Sequence, residues 1–235
     1  MTLPDDAPSL RESVYTRLRA DILDGRVDAR ERLTEPRLSR EFEVSRTPVR
    51  EALSRLLSDG LVVRTDFGYA VVVPTLVELS DLYELRLRLE LAGVDRVLEN
   101  RDVRYDTQAL AAELSHWVAL GQDPPEPEPD LVLLDEHFHA VLSRAAGNAR
   151  TTAALVEVHE KIRAVRRHDV VDAARLVATI AEHVEILELV LDERLPEARS
   201  RLRAHLGESL AGVGERAGRA LSRQALAATP LRRLR

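Results

Sequence analysis

The sequence contains no cysteine, so neither a disulfide nor a thiolate metal site can be built from it. It also lacks any apolar run approaching the 18 or more residues of a membrane span, so no part of it is expected to cross a bilayer. The opening stretch, MTLPDDAPSLRESV, carries early acids and no apolar core of the signal-peptide kind, which makes the cytoplasm the expected compartment. Lysine is nearly absent: Lys161 is the only one, and Arg carries the remaining basic charge. With Ala and Arg both abundant, that bias reads as genomic codon usage and excludes no chemistry. A net positive charge is missing too. At -6 overall, the chain is not expected to coat nucleic acid through a generally basic surface, so any DNA contact must be local. Residues 1–74 hold 12 Arg against 13 Asp and Glu, and clustering of charge has to carry the case there.

What is present is the balance of a soluble globular protein, 45% hydrophobic and 31% charged, in a length of 235 residues that suits two domains. From Leu10 the apolar positions Leu10, Val14, Leu18 and Ile22 repeat at the period of an amphipathic helix ending near Leu23. After the Asp24-Gly25-Arg26 break, Thr34 is placed to cap a second helix with Pro36 in its first turn, running to about Glu41. Phe42-Glu43-Val44 separates it from a third, in which Thr47 caps, Pro48 takes the first helical position, and Val49, Leu53, Leu56 and Leu57 face the core. Gly60 ends that helix near Asp59. The β-branched runs Leu61–Arg64 and Tyr69–Val73, around Thr65-Asp66-Phe67-Gly68, predict a hairpin closed by Pro74. Three helices and a hairpin outline a winged helix-turn-helix.

From Leu76 onward strand signals vanish. Helices are predicted at about 78–100, 105–121, 130–146, 149–168, 172–193 and 195–213, a six- to seven-helix bundle able to house a site. The proline-rich stretch from Gln122 to Pro129 has to be a surface loop. The predicted organisation is therefore mainly α: a DNA-binding domain over 1–74, an all-helical domain over 75–213, and a basic-ended tail over 214–235.

In a helix-turn-helix the second helix of the pair lies in the major groove and reads it with its N-terminal side chains. Ser45-Arg46-Thr47-Pro48-Val49-Arg50 supplies that chemistry. Arg46 and Arg50 offer paired donors for guanine edges or phosphates; Ser45, Thr47 and the helix-start amides suit phosphate oxygens. Alone, the segment can also be read as a capped amphipathic helix with ordinary surface arginines. Leu33-Thr34-Glu35, the run from Val44 to Leu53 and Gly60-Leu61-Val62 together resemble the GntR family of bacterial regulators over residues 10–73. The resemblance implies contacts from Ser45, Arg46, Thr47 and Arg50, with the wing near Gly68 approaching the minor groove. The chain departs from the family where Pro-Gly is usual, having Ala29-Arg30, and where an early helix-two Arg contacts phosphate, having Pro36; Arg37 is the candidate substitute. The wing is about one residue short and presents Asp66, an acid that phosphate repels.

In Asp135-Glu136-His137-Phe138-His139, Asp135 and His139 are four apart and share a helical face, so both can grip one ion. His183 and His205 stand on the last two long helices, which an antiparallel arrangement brings together. One carboxylate and three imidazoles suit Zn, Ni, Mn or Fe. A lone histidine is ordinarily a surface or core residue, and His116, His137, His159 and His168 are read that way. Asp135, His139, His183 and His205, with Ala146-Gly147-Asn148, resemble the ligand set of the FadR C-terminal effector domain, the FCD subgroup of the GntR family, over about 78–210. The same resemblance makes Arg86 a carboxylate clamp for a small organic acid; otherwise it is a surface Arg paired with Glu90. A homodimer on a pseudo-palindromic operator, released by its effector, follows as the expected behaviour. The rival readings are a metallohydrolase using Glu136 or Glu182 as base, and a metal-free helical interaction module joined to a DNA-binding domain.

Overall fold

Ser9 opens the first helix of the computed structural model, which describes residues 9–28, 31–167 and 172–207: its hydroxyl accepts from the Glu12 amide at 3.3 Å and starts α1 (Leu10–Leu23). α1 buries Val14, Tyr15, Leu18 and Ile22 as one stripe, while Leu10, at the first helical residue, is 66% exposed and falls outside it. α2 (Glu35–Glu41) follows with Thr34 at the N-cap position and Pro36 near its start; the Thr34 side chain makes no capping bond. α3 (Arg46–Ser58) begins earlier than predicted, with Ser45 and not Thr47 as N-cap. Pro48 therefore sits third in the helix. That position costs nothing, because the first turn's N–H groups have no partner within the helix. Val49, Leu53 and Leu56 are fully buried, but Leu57 is 40% exposed, since one residue beyond Leu56 turns it about 100° off the core face.

Gly60, at φ 71°, ends α3 and leads into β1 (Val62–Thr65) and β2 (Gly68–Val71), paired antiparallel from Val62↔Val71 to Thr65↔Gly68. Leu33 extends this ribbon. Its N–H and C=O each bond Tyr69 at 2.9 Å, tying the segment before α2 to the wing. Tyr15, Leu33, Leu38, Val49, Leu53 and Val62 close one apolar core around these elements.

The chain divides into two units at Pro74/Thr75. In the second, Thr75 and Glu78 form a reciprocal capping box that starts α4 (Leu76–Glu99). α5 (Thr107–Gln122), α6 (Leu131–Ala145), α7 (Ala149–Arg166) and α8 (Ala173–Leu191) follow, and residues 195–207 form the described part of α9. Asp106, Asn148 and Asp172 cap α5, α7 and α8 through their side chains. Of the proline-rich stretch, Asp123 to Pro129 is non-helical, as Pro requires, while Gln122 ends α5. Ala29-Arg30, His168, the last six residues of the predicted final helix and the 214–235 tail lie outside the described residues.

The core of this unit runs through Leu91, Val94, Leu110, Trp117, Phe138, Ile186, Leu187 and Leu202. Within the same bundle Arg86, Glu90, His139, His159, Arg166, Glu182, His183 and His205 are all buried. Charged groups persist at such depth only when paired or ligating, which makes this polar interior the place to look for a site.

Candidate functional site

α6 presents Asp135 and His139 one turn apart, α8 supplies His183, and α9 supplies His205. Their ligating atoms all lie within 4.8 Å of one another. His205 Nε2 is 3.3 Å from His183 Nε2 and 3.4 Å from His139 Nε2. Asp135 Oδ2 is 3.5 Å from His139 Nε2, and its Oδ1 is 3.6 Å from His183 Nε2. The three rings are essentially inaccessible.

What holds the rings differs. His205 Nδ1 faces Glu182 Oε2 at 2.5 Å, and His139 Nδ1 faces Glu90 Oε2. A carboxylate at Nδ1 selects the tautomer protonated there and leaves the Nε2 lone pair aimed at the centre. His183 is fixed by aromatic packing: Phe138 stacks on it at 3.7 Å and 8°, and Trp117 meets it edge-on at 4.3 Å.

Burial lowers His139 and His159 to about 4 and His183 well below its ordinary value, so all three imidazoles are neutral near pH 7. Burial opposes ionisation of Asp135 and Glu90. The arginines outweigh it, Arg166 foremost for Asp135 and Arg86 for Glu90, so both carboxyls stay far below the usual range. An ionised Asp135 beside neutral His139 and His183 is the protonation state a metal ion needs.

Beside the cluster lies an excess of buried donors. Arg86 is 1% exposed; its Nε donates to Glu90 Oε1 at 2.5 Å, and Nη1 and Nη2 make no hydrogen bond, with Nη2 3.8 Å from Asp135 Oδ2. Arg86 is thus not a surface residue, and its i+4 pair with Glu90 is interior. Arg166 donates through Nη2 to Asp135 Oδ2 at 2.5 Å, while its Nη1 has no acceptor. His159 Nε2 is 3.5 Å from Glu90 Oε1, and neither ring nitrogen makes a hydrogen bond. Sequence reasoning gave His159 no role and did not single out Arg166. Their signal was spacing: seven residues apart, they share one face of α7.

Two other histidines are ordinary. His116 and His137 are exposed. The carboxylates that a hydrolase would use as bases are engaged: Glu136 takes three hydrogen bonds from Arg163 at 2.7–3.2 Å. Glu182 opposes burial through bonds to His205 and Arg175, which lower it to about 2. A carboxyl at that value is a poor proton acceptor.

In the first unit Ser45, Arg46, Thr47 and Arg50 are all exposed at the start of α3. Arg46 makes no ion pair among the described residues. Arg50 donates Nε and Nη2 to the two oxygens of Glu35, each at 2.9 Å. Arg37 is half-buried, pairs with Glu31, lies 3.6 Å from Glu41, and donates to the Arg32 carbonyl at 3.4 Å. Its charge is already spent on two acids of its own unit. Gly68 has φ 125°, and a Cβ there would stand 2.7 Å from the Leu33 carbonyl oxygen, so close backbone approach accounts for this glycine. At the tip, Phe67 is 70% exposed with the Arg32 guanidinium 5.1 Å over its ring.

Comparisons agree with both halves. Residues 10–68 match the family of bacterial regulatory proteins, gntR family, and residues 81–208 match the FCD domain. An HTH-type transcriptional regulator in an unstable DNA locus of Streptomyces ambofaciens is 33% identical over 201 residues, 83% of this chain and 81% of that protein. The Nta operon transcriptional regulator of Aminobacter aminovorans is 30% identical over 177 residues, 75% and 81% of the two chains. Among solved structures, a GntR transcriptional regulator from Rhodococcus sp. RHA1 superposes with TM-score 0.64 at 26% identity, covering 88% of this chain and 98% of that one. E. coli McbR/YncC shares the fold, with TM-score 0.71 at 20% identity over 90% and 100% of the chains. The relatives are regulators and not enzymes, and among the described residues no helix is long and apolar enough to cross a membrane. With a winged helix-turn-helix at the front and a helical bundle behind it, the chain belongs to the GntR family of transcription regulators and carries an FCD domain.

Proposed function

We propose that the chain works as a homodimeric, cytoplasmic repressor of the FadR subgroup that lets go of its operator when a small organic acid occupies the second unit beside a divalent metal. The carrying observation is the convergence of three Nε2 atoms and one carboxylate within 4.8 Å of one another, four of the pairs at 3.3–3.6 Å, next to an Arg86 whose terminal nitrogens are buried without an acceptor. Two ligands about 2.0–2.1 Å from a common ion at a tetrahedral angle stand about 3.4 Å apart, so the spacing fits an ion of this class. Asp135, His139, His183 and His205 would hold it. Imidazole and carboxylate together suit Zn, Ni, Mn or Fe, and the ion supplies a Lewis-acidic position for an exchangeable anionic ligand. Arg86 would take the other end of that ligand, because a guanidinium fork matches a carboxylate and the buried donors gain acceptors.

Ser45, Arg46, Thr47 and Arg50 are the proposed readers of the operator; Arg37, engaged by Glu31 and Glu41, is a lesser contact, and Gly68 serves the wing's backbone. Two-fold pairing places two such helices on adjacent half-sites. The repressor sign is supported by the Gluconate operon transcriptional repressor of Bacillus subtilis, 34% identical over 130 residues, although the match spans only 51% of that protein. Effector and DNA are coupled only through different affinities for the two dimer arrangements.

The decisive experiment has two arms. Purified protein on its own promoter region, with competitor DNA, should give a sequence-selective shift; no selectivity at moderate salt ends the operator reading. Metal content after dialysis should be close to one ion per chain and negligible in His183→Ala. Equal, negligible content in both leaves a metal-free interaction domain as the better description. A thermal-shift screen of organic acids with and without divalent metals then identifies the signal, since a ligand at 100 times its Kd adds about 2.7 kcal/mol to the folded state.

A further inference from the structure

A carboxylate on a surface meant for DNA is a liability, because it repels phosphate and is hard to reconcile with tight binding. Glu35 is such a carboxylate. It opens α2, directly against the exposed start of α3, and its two oxygens bind Arg50 Nε and Nη2 at 2.9 Å each. The Arg50 side chain is 63% exposed and that of Glu35 26%, so the pair sits at the surface. Arg46 on α3 and Arg64 on β1 are near enough to stabilise the ionised form of Glu35 further. One acid therefore lies among three arginines drawn from both the reading helix and the wing.

The geometry of the pair decides what it can do. A guanidinium has two forks of parallel N–H groups: one on its side, formed by Nε and Nη2, and one at its end, formed by Nη1 and Nη2. Glu35 takes the side fork. No described residue accepts from the end fork, and its two parallel N–H groups can meet the O6 and N7 acceptors of guanine. An exposed Arg otherwise samples many rotamers and loses that freedom on binding. Holding its side fork fixes both the plane of the guanidinium and the direction of the remaining donors before DNA arrives. A contact limited to phosphate would need no such alignment, since phosphate accepts a charge from many directions.

We infer that Glu35 is a positioning residue for base reading: it clamps the side fork of Arg50 so that the end fork is presented to one guanine in each half-site. Glu35 thus raises discrimination at one base pair while lowering affinity for DNA in general. The inference rests on the reading that the start of α3 enters the major groove, and the test separates the two.

The full-length protein is used to select sequences from a randomised duplex library, and base preference is then measured by competition for wild type, Glu35→Ala, Glu35→Gln and Arg50→Ala. A bidentate base contact discriminates by about 5- to 150-fold. Glu35→Ala should lose about tenfold or more of the preference at the position that Arg50→Ala also relaxes, keep the preferences at other positions, and bind unrelated duplex as well as or better than wild type. Glu35→Gln, which keeps the side chain's size and one acceptor oxygen, should fall between. Retention of full preference at that position by both Glu35 variants overturns the inference while leaving groove reading by Arg50 intact. A uniform loss across all positions and on unrelated duplex overturns it too, because that is the behaviour of a merely structural residue. Failure of wild type to select any sequence removes the reading on which it rests.

Discussion

Trp117 meets the ring of His183 edge-on at 4.3 Å and Phe138 stacks on it at 3.7 Å and 8°, so the histidine of the cluster with no carboxylate at its Nδ1 is held by aromatic rings. Trp117 is itself anchored, its indole N–H donating to Glu113 at 2.7 Å. It is also the sole tryptophan of the chain. Emission at 295 nm excitation therefore comes from a single ring in contact with His183. Titration with Ni²⁺ should quench it saturably, with an end point near one ion per chain, and Trp117→Phe should bind metal while losing the signal. Binding seen by calorimetry with unchanged emission would place the ion somewhere other than this cluster.

The carboxylates behind His139 and His205 should matter as much as the ligands' own orientation. Second-layer partners of this kind typically cost 10- to 100-fold in metal affinity, about 1.4–2.7 kcal/mol, when removed. Glu182→Gln replaces an ionised acceptor at His205 Nδ1 and should weaken binding by that factor without abolishing it. Glu90→Gln carries a second effect, because it leaves buried Arg86 short of a counter-charge, so a fall in melting temperature should accompany the weaker binding. Competition against a chelator of known affinity measures both. Wild-type affinity in both variants would mean the rings are positioned by packing alone.

Arg86 and the metal cluster can be separated by mutation. Arg86→Met preserves much of the side chain's length but removes the buried donors that lack acceptors. It should keep near-stoichiometric metal while losing the stabilisation by organic acids, a loss of about 2–3 kcal/mol under near-saturating ligand. Differential scanning fluorimetry with the screened acid, at fixed metal, gives the answer. Undiminished stabilisation would show that the acid is held without Arg86.

Gly68 was legible in the sequence as a turn residue, but its partner was not, since nothing local says that Leu33 returns to pair with Tyr69. The structure supplies both the φ of 125° and a carbonyl 2.7 Å from any added Cβ. Gly68→Ala should accordingly destabilise the first unit by about 1–3 kcal/mol. Amide exchange should accelerate first at Leu33 and Tyr69, where the bridging bonds lie. Native-like protection at both amides, combined with altered base preference, would instead make the glycine a DNA contact.

The same contrast runs through the molecule. The helices could be read because their apolar residues recur with the helical period and their starts carry Ser, Thr, Asp or Asn. The start of α3 was misplaced because Ser45 and Thr47 are both capable caps and a proline is tolerated anywhere in the first turn. In the second unit, Asp135 and His139 announce themselves by spacing on one helix. Glu90, Arg166 and His159 do not: on a single helix a charged residue at a polar position looks solvated, and only the approach of α4, α6 and α7 encloses it. The acids beside Arg37 were overlooked for a related reason, since Glu31 comes to it from the segment before α2 and Glu41 from one turn further along the helix.

Tyr15 gives the first unit a pH signature. Its hydroxyl donates to Asp59 Oδ2 at 2.6 Å, joining α1 to the end of α3, and burial first, then this bond to a carboxylate, raise the phenol above its usual 10. A group whose folded value is raised contributes stability that is whole below its unfolded value and disappears as pH climbs through the folded one. The Tyr15–Asp59 contribution should therefore be constant from neutral pH to about 10 and decline above it. Tyr15→Phe removes a hydrogen bond to a charged acceptor and should cost about 1.5–3 kcal/mol near neutrality. Urea unfolding of wild type and variant should give curves whose separation narrows as pH rises above about 10 and wild type loses its advantage. A separation that stays constant across that range would mean the phenol is not the group that titrates, and the coupling of α1 to α3 would have to be credited to the Arg55 guanidinium 3.7 Å over the Tyr15 ring.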